Sequence, residues 1–251
     1  MNIKSILVSQ PEPKTQKSPY RDLAEKFKLK VDFRPFIHVE GVASQEFRQN
    51  RINLEEFTAV IFTSRMAVDH YFRIASETRF AVPDDMKYFC ISEAVAYYLQ
   101  NYVVYRKRKI FFGKQSIVDL MDTIIKHKSD KFLVPCSDIQ RKIIPDSLTK
   151  NEINFKNVVL YKTVCSDLSD LEDVKYDILV FYSPSGIQSL VKNFPEFEQN
   201  GTKIAAFGPT TAKAAKDLGL RIDIKAPMPG IPSMTMACLL YTSPSPRDGS
   251  E

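Results

Sequence analysis

Seven short apolar runs, each followed by a segment with helical periodicity, constrain the fold of this chain more than any other feature. The runs are rich in Val, Ile and Phe, and they read SILVS, AVIFT, YFCIS, KIFF, KFLVP, DILVFY and KIAAF. Alternation of strand and helix is typical of βα units that build a parallel sheet covered by helices. We therefore predict an α/β fold with parallel sheets flanked by helices.

The length of the chain favours two domains. Its 251 residues are 44% hydrophobic, and domains commonly contain roughly 100 to 150 residues. The apolar runs are too short to cross a membrane, and the first residues lack the apolar core of a signal peptide. We expect a cytoplasmic protein with no membrane partner.

Charge and metal-ligand spacing exclude some function classes. The chain has 35 Lys and Arg against 30 Asp and Glu, a net charge of +5, which does not force binding to nucleic acid. Its four cysteines show no CxxC spacing and its three histidines lie far apart, so neither a metal site nor a disulfide framework is indicated. We expect no nucleic-acid partner and cofactor-free chemistry, and the small positive surplus suits an acidic small molecule.

Two parts of the sequence repeat each other. VIFTSRMAVDHYF from Val60 aligns with LVFYSPSGIQSLV from Leu179 at an offset of 119 residues, and CISEAVAYYL aligns with AFGPTTAKAA at an offset of 116. A third pair, SIVDLM and SMTMA, has an offset of 117. Three matches in the same order indicate two copies of one unit. The second copy has only two clear strand–helix units, and the N-terminal residues are predicted to complete it.

This repeat predicts a discontinuous domain. We assign residues 1–30 and 168–237 to domain 1 and residues 44–154 to domain 2. The segments 31–43 and 155–167 are rich in β-forming residues and are predicted to be linker strands that pair as a two-strand β-ladder. A cleft is expected between the two domains.

Hydroxyl-rich turns follow most of the predicted strands. They read FTSRMA, ISEA, PCSDIQ, YSPSG and GPTT. Ligands of parallel sheets bind outside the carboxyl ends of the strands, where helix N-termini present free N–H groups to anions. The alternative interpretation is that Thr63, Ser64, Ser183 and Thr210 are ordinary helix caps. None of the turns is GxGxxG or GxxxxGK[ST], which argues against a nucleotide site.

Tyr182 differs from the other turn residues because its phenol could donate a proton or a hydrogen bond. The alternative is a half-buried aromatic that covers the domain edge. His38 and His70 are expected to be structural, and the run YRKRK from Tyr105 is expected to be a solvated edge strand rather than a site that attracts an anionic substrate.

Taken together and in order, these motifs resemble the uroporphyrinogen-III synthase family. The resemblance covers residues 3–237, and the motifs that carry it are FTSRMAV, PCSDIQRKII, VVLYKTV, VFYSPSG, AAFGPTTAKAAKDLG and KAPMPGIPSM. It implies two α/β domains joined by a two-strand ladder and a monomeric enzyme without metal or organic cofactor. The implied substrate is hydroxymethylbilane, a linear tetrapyrrole with acetate and propionate groups on every ring.

The implied reaction eliminates the terminal hydroxyl, forms a spiro intermediate at ring D, and closes the macrocycle with that ring inverted. By similarity, Tyr182 matches the family tyrosine that helps the hydroxyl leave. The residues implied to bind the substrate carboxylates are Thr63, Ser64, Ser92, Ser137, Ser183, Ser185, Gly186, Thr210 and Thr211.

The sequence departs from the family at three polar positions. Gln10 stands where many relatives carry Arg, Met66 where related turns have Asn, and Val95 where Thr is frequent. Each departure removes a polar group from the expected site. These departures bear on the binding roles of single residues more than on the family resemblance. The alternative function is a non-catalytic module that binds a tetrapyrrole or another polyanion on the same fold, and the retained Tyr182 argues against it.

The last residues differ in character from the rest of the chain. CLLYTSPSPRD, which begins at Cys238, is similar to an in-frame translation of a sequencing-library adapter. We therefore expect residues 238–251 to be an artefactual tail and exclude them from the predicted fold.

Overall fold

The computed structural model describes residues 3–15, 18–139, 142–171 and 175–242. The chain divides into two compact units. Unit 1 comprises Met1–His38 and Val164–Glu251, and unit 2 comprises Val39–Thr163. Unit 1 is therefore assembled from two separate stretches of sequence.

The described residues form strands and helices in alternation along most of the chain. The strands are β1 (Ser5–Val8), β2 (Lys30–Phe33), β3 (Ile37–Gly41), β4 (Ala59–Phe62), β5 (Lys87–Cys90), β6 (Ile110–Phe112), β7 (Phe132–Ser137), β8 (Phe155–Cys165), β9 (Ile178–Phe181), β10 (Lys203–Phe207) and β11 (Ile224–Ala226). The helices are α1 (Pro19–Phe27), α2 (Ser44–Gln49), α3 (Arg65–Glu77), α4 (Glu93–Leu99), α5 (Ile117–Lys126), α6 (Ile143–Lys150), α7 (Pro184–Asn193), α8 (Pro209–Asp217) and α9 (Met234–Thr242).

Unit 1 contains a five-stranded sheet in the order β11-β10-β9-β1-β2. Every neighbouring pair in this sheet is parallel. From β1 the chain proceeds to β2 on one side, and from β9 it proceeds to β10 and β11 on the other side. The order therefore reverses between β1 and β9, which is the topological switch point at which open parallel sheets bind ligands.

The sheet of unit 2 has the order β3-β8-β7-β4-β5-β6. The strands from β4 to β8 are parallel to their neighbours, and the switch point lies between β4 and β7. The amide of Val42 donates to the carbonyl of Leu160, and the amide of Ser166 donates to the carbonyl of Phe36. Residue numbers therefore increase along β3 while those of its partners on β8 decrease, so the two strands run antiparallel.

The two sheets repeat one arrangement. The order β8-β7-β4-β5-β6 in unit 2 corresponds to β2-β1-β9-β10-β11 in unit 1. The N-terminal strand β1 therefore lies beside β9 as β7 lies beside β4. The aligned residues also have the same role, because Ser92 and Gly208 both occupy the N-cap position of a helix.

Each sheet is covered on both faces, as parallel sheets generally are. All four residues of β4 and of β9 are buried. In unit 2, Val60 and Phe62 contribute to one apolar cluster, whereas Ala59 and Ile61 contribute to another. The residues of β9 alternate in the same way between the two apolar clusters of unit 1. Continuous apolar runs such as DILVFY reflect this burial on two sides.

Strand pairing differs from the predicted linker boundaries. Lys30 to Phe33 pair with β1, so the start of the predicted 31–43 linker belongs to the sheet of unit 1. Phe155 to Tyr161 pair with β7, so most of the predicted 155–167 linker belongs to the sheet of unit 2. Both segments were assigned by β-forming composition, which does not show the pairing partner. Strand β11 was missed because the exposed Lys225 lies between its two buried residues, so its sequence contains no continuous apolar run.

The predicted artefactual tail begins inside a packed helix. Cys238 lies in α9 with no exposed surface, and the hydroxyl of Tyr241 donates to the carbonyl of Asp223 at 2.7 Å. Residues 238–242 therefore pack in unit 1, while the remainder of the predicted tail, 243–251, lies outside the described residues. Within the described ranges, the helices lack the length and apolar character that crossing a membrane requires.

Candidate functional site

The carboxyl edge of the unit 1 sheet gathers six of the predicted site residues. Tyr182 directly follows β9, and Ser183, Ser185 and Gly186 follow it at the start of α7. Thr210 and Thr211 follow β10 at the start of α8. Because β9 borders the switch point, the first four of these residues lie where the fold favours a ligand.

The carboxyl edge of the unit 2 sheet gathers the other four. Thr63 and Ser64 follow β4, Ser92 follows β5, and Ser137 ends β7. Val60 pairs with Leu133, and continuing this register places Ser64 level with Ser137. These two serines therefore border the switch point of unit 2.

The alternative interpretation of ordinary helix caps is correct for Ser64 and Ser183. It is wrong for Thr63, since Ser64 is the N-cap of α3, and for Thr210, since Gly208 is the N-cap of α8. Ser92, which that interpretation did not include, is also an N-cap. The side-chain oxygens of Ser64, Ser92 and Ser183 accept from backbone amides at 3.1, 3.4 and 3.2 Å. A serine hydroxyl has one proton and two lone pairs. A serine that accepts a capping bond therefore still has a proton to donate, so capping and carboxylate binding are compatible.

The remaining turn residues differ in whether they can donate a hydrogen bond to a ligand. The Ser137 hydroxyl donates to the carbonyl of Ile139 at 2.8 Å, so its proton is engaged in its own turn. Thr211 is only 1% exposed, whereas Thr210 is exposed and Thr63 is half-buried. Ser185, the second residue of α7, contributes one of the N–H groups that a helix leaves without an internal acceptor.

Tyr182 forms a hydrogen bond with a second phenol. Its hydroxyl oxygen lies 2.7 Å from that of Tyr20, and its ring packs against Phe207 with the centroids 5.5 Å apart. Burial raises the pKa of Tyr182, while the hydrogen bond from Tyr20 lowers it. Burial also raises the pKa of Tyr20, to well above its ordinary range. Both groups are therefore neutral phenols near neutral pH, and Tyr182 can donate a proton or a hydrogen bond.

Unit 2 also has a phenol at its switch point. The hydroxyl of Tyr161, on β8, lies 3.3 Å from the side-chain oxygen of Ser64. The ring of Tyr161 stacks on His70 with the centroids 5.1 Å apart. Arg73 donates to Nδ1 of His70 at 3.2 Å, and burial followed by the charge of Arg73 lowers the pKa of His70. His70 is therefore a neutral ring that supports Tyr161.

His38 and the run YRKRK lie away from the predicted site residues. His38 is exposed on β3, and its Nδ1 lies 3.1 Å from the hydroxyl of Ser166. The run YRKRK, from Tyr105 to Lys109, ends where β6 begins, so it forms a turn at the amino edge of the sheet rather than the predicted edge strand. Its four consecutive basic residues favour a solvated turn over pairing.

Sequence reasoning did not select Tyr20, Tyr161 or Ser9. Tyr20 resembles an ordinary core aromatic on a helix face, and Tyr161 lies within the motif VVLYKTV without a turn to mark it. Ser9 directly follows β1, the strand beside β9 at the switch point of unit 1, so the rule that placed Thr63 after β4 would also have found it. Among the described residues, no group of three or more His, Cys, Asp and Glu side chains is arranged to hold a metal ion.

Comparisons with known proteins agree on one family. The family model described as "Uroporphyrinogen-III synthase HemD" matches residues 18–236. The uroporphyrinogen-III synthase of Chlorobaculum parvum is 26% identical over 244 residues, which cover 88% of this chain and 92% of that protein. The enzyme of the same name from Saccharomyces cerevisiae is 29% identical over 142 residues, which cover 50% of this chain and 51% of that protein.

Solved structures show the same fold. Uroporphyrinogen-III synthetase from Helicobacter pylori superposes with a TM-score of 0.59 at 18% identity, covering 95% of this chain and 98% of that one. A mutant uroporphyrinogen III synthase from Thermus thermophilus superposes with a TM-score of 0.51 at 13% identity, covering 95% and 97% of the two chains. At these identities the likeness concerns the α/β fold, with its parallel sheets and flanking helices.

Proposed function

Since this chain belongs to the uroporphyrinogen-III synthase family, we propose that it cyclises hydroxymethylbilane to uroporphyrinogen III with loss of water and inversion of ring D. The family match across residues 18–236 carries this proposal. The fold and the half-buried phenol after β9 are consistent with it.

The substrate presents carboxylates from every ring, and the proposed binding groups are donors. The hydroxyls of Ser64, Ser92 and Ser183 cap helices and keep a proton for an acceptor. The helix N-termini beside them add free N–H groups and a favourable dipole. These features support carboxylate binding at the carboxyl edge of each sheet. Thr63, Thr210 and Ser185 lie beside the caps, and Gly186 has no side chain that would exclude a carboxylate. Ser137 and Thr211 are weaker candidates, because the proton of one is engaged and the other is buried.

We assign Tyr182 to the departure of the terminal hydroxyl. In this step the carbon–oxygen bond breaks with its electron pair on oxygen, and the electrons of the adjacent pyrrole nitrogen stabilise the carbon that remains. The proton of Tyr182 completes the departing water. When the closed ring system later loses a proton from carbon, that proton restores the phenol, so the enzyme ends as it began.

Geometry is the other part of the proposed catalysis. The substrate left in water closes without inverting a ring, so the enzyme must hold the reacting ends in an arrangement that open solution does not favour. Many weak carboxylate contacts suit this task better than one strong contact. We further propose a cytoplasmic monomer that acts without nucleic acid, which its modest net charge of +5 supports.

The test is the isomer of the product. Purified protein is mixed with freshly generated hydroxymethylbilane, the product is oxidised to porphyrin, and the type I and type III isomers are separated by chromatography. We expect type III to predominate with the native protein and type I alone with heat-denatured protein. Type I alone from both samples would refute the cyclase assignment, and binding without turnover would favour the non-catalytic alternative.

A further inference from the structure

We infer that Tyr20 is a positioning residue for Tyr182: its hydroxyl donates to the oxygen of Tyr182 and so directs the proton of Tyr182 toward the ligand side. The inference rests on the proposed function and deepens it. The observation that carries it is the 2.7 Å separation of the two phenol oxygens, which belong to residues 162 positions apart.

Burial determines which phenol donates. Tyr20 is 7% exposed, and among the described residues Tyr182 is the partner the structure gives to its hydroxyl. If Tyr182 donated to Tyr20, the proton of Tyr20 would be buried without an acceptor, which is costly. If Tyr20 donates, the proton of the more exposed Tyr182 can reach solvent or a ligand. The second arrangement satisfies both hydroxyls.

Tyr20 is held in place by the start of α1 and by packing. Pro19 occupies the first turn of α1, where its fixed backbone angle suits the helix. The ring of Tyr20 packs edge-on against Phe33, with the centroids 5.8 Å apart. The second phenol is therefore fixed by the core of unit 1, and Tyr182 gains a rigid partner from an element distant in sequence.

The donated bond matters most when Tyr182 loses its proton. Negative charge then develops on the oxygen of Tyr182, and a hydrogen bond to a charged group is stronger than one to a neutral group. Burial raises the pKa of Tyr182, and Tyr20 opposes that rise. The other titratable group near the pair is the thiol of Cys238, and its burial raises its pKa to about 12, so it stays neutral.

The experiment is a double-mutant cycle on the full chain, with kcat and KM measured for wild type, Tyr20→Phe, Tyr182→Phe and the double variant. Both substitutions keep the ring and remove only the hydroxyl. We expect Tyr20→Phe to lower kcat roughly tenfold with little change in KM. In the Tyr182→Phe background, Tyr20→Phe should have no further effect, because its role is exercised through Tyr182.

Tyr176→Phe is the matched control. Tyr176 precedes β9 at the amino edge of the same sheet, and its hydroxyl donates to Asp32 at 2.6 Å. This variant loses a phenol hydrogen bond of similar length without touching the carboxyl edge. Its kcat should equal that of wild type, and its melting temperature shows how much stability such a loss costs.

A spectroscopic measurement tests the hydrogen bond without catalysis. In protein containing tyrosine labelled with ¹³C at Cζ, the Tyr182 resonance is assigned by its absence in Tyr182→Phe. It should shift in Tyr20→Phe and stay unchanged in Tyr176→Phe. An unshifted Tyr182 resonance in Tyr20→Phe would overturn the inference whatever the activity.

The kinetic outcomes are equally decisive. Equal losses of kcat from Tyr20→Phe in the presence and absence of the Tyr182 hydroxyl would indicate a structural role and overturn the inference, as would an unchanged kcat or a change confined to KM. Failure of the proposed function is seen separately, because wild-type protein would then form no type III product before any variant is compared.

Discussion

Ser64 and Ser183 cap their helices in the same way although 119 residues separate them. The side-chain oxygen of each accepts from the backbone amide three residues later, Ala67 at 3.1 Å and Gly186 at 3.2 Å. Each serine follows the strand that borders the switch point of its sheet. The two copies of the repeat therefore present the same hydroxyl at the same place in the fold.

Ser183→Asp and Ser64→Asp should separate capping from ligand binding. Asp caps helices about as well as Ser, and its charge suits a helix N-terminus, so the free energy of unfolding should stay within about 0.5 kcal/mol of wild type. A carboxylate at this position repels the carboxylates of the substrate. We expect KM to rise at least roughly tenfold, the equivalent of about 1.4 kcal/mol, as measured by steady-state kinetics.

Asn53→Asp is the control for added charge. Asn53 caps a short 3-10 helix, Leu54–Glu56, that precedes β4, and its side chain accepts from the amide of Glu55 at 3.1 Å. The substitution adds the same charge at a cap on the amino edge of the sheet. Its KM should stay near that of wild type. An equal rise in KM for all three variants would mean that net charge alone, rather than position, governs substrate binding.

The elements that the sequence predicted well are those whose signals are local. All seven apolar runs contain a strand, because strands buried on two faces read as continuous Val, Ile and Phe runs. The duplication was visible because the turns at Ser64 and Ser183 kept hydroxyls at the cap position. Gly208, aligned with Ser92, keeps the same position without a side chain.

The parts that the sequence could not predict depend on long-range contacts. The bond between Tyr20 and Tyr182 joins the start of α1 to the end of β9, and the pairing of β1 with β9 helps to bring these elements together. Likewise, Tyr161 contacts Ser64 across 97 residues. Local patterns mark an aromatic as buried but do not identify its partner.

Tyr182→Phe should lower turnover more than alanine at any single capping serine. The phenol takes part in bond breaking, and a positioned general acid commonly contributes about a hundredfold or more. Each serine is one of several carboxylate contacts, so Ser64→Ala and Ser183→Ala should mainly raise KM. Single-turnover rates at saturating substrate measure the difference. Similar rate losses in all three variants would remove the special role of Tyr182.

Gly208→Ala should destabilise the protein through the backbone alone. Gly208 has φ = 82° and ψ = 155°, a conformation almost confined to glycine, although an added Cβ would meet nothing within 4 Å. We expect a loss of about 1–3 kcal/mol in the free energy of unfolding. Gly186→Ala is the contrast, since its Cβ would lie 3.4 Å or more from its neighbours in a helical turn. Equal losses, measured by urea denaturation, would argue against backbone strain at Gly208.

Asp130→Asn should weaken unit 2 without changing substrate binding. Asp130 is 8% exposed, accepts from the hydroxyl of Thr58 at 2.8 Å, and pairs with Lys87 at 2.7 Å. The amide keeps the first bond but loses the ion pair, so we expect a loss of about 1–2 kcal/mol. Glu152→Gln, which breaks the exposed pair with Lys128, should show no measurable loss. A changed KM in Asp130→Asn would indicate that Asp130 and its partners Thr58 and Lys87 take part in substrate binding.

His70 should make the stability of the protein depend on pH. Burial, followed by the charge of Arg73, lowers its pKa in the folded state below the ordinary value of 6.5. Below that value the unfolded chain binds a proton that the folded protein does not, so stability is full above about pH 6.5 and falls as pH decreases toward the folded pKa. Urea midpoints at pH 7.5, 6.5 and 5.5 measure this loss. His70→Phe keeps a ring against Tyr161 but cannot titrate, so its midpoint should fall less over the same range. If the two proteins lose stability in parallel, other groups must cause the acid sensitivity. The folded protein would then not lower the pKa of His70, contrary to what its burial and its contact with Arg73 indicate.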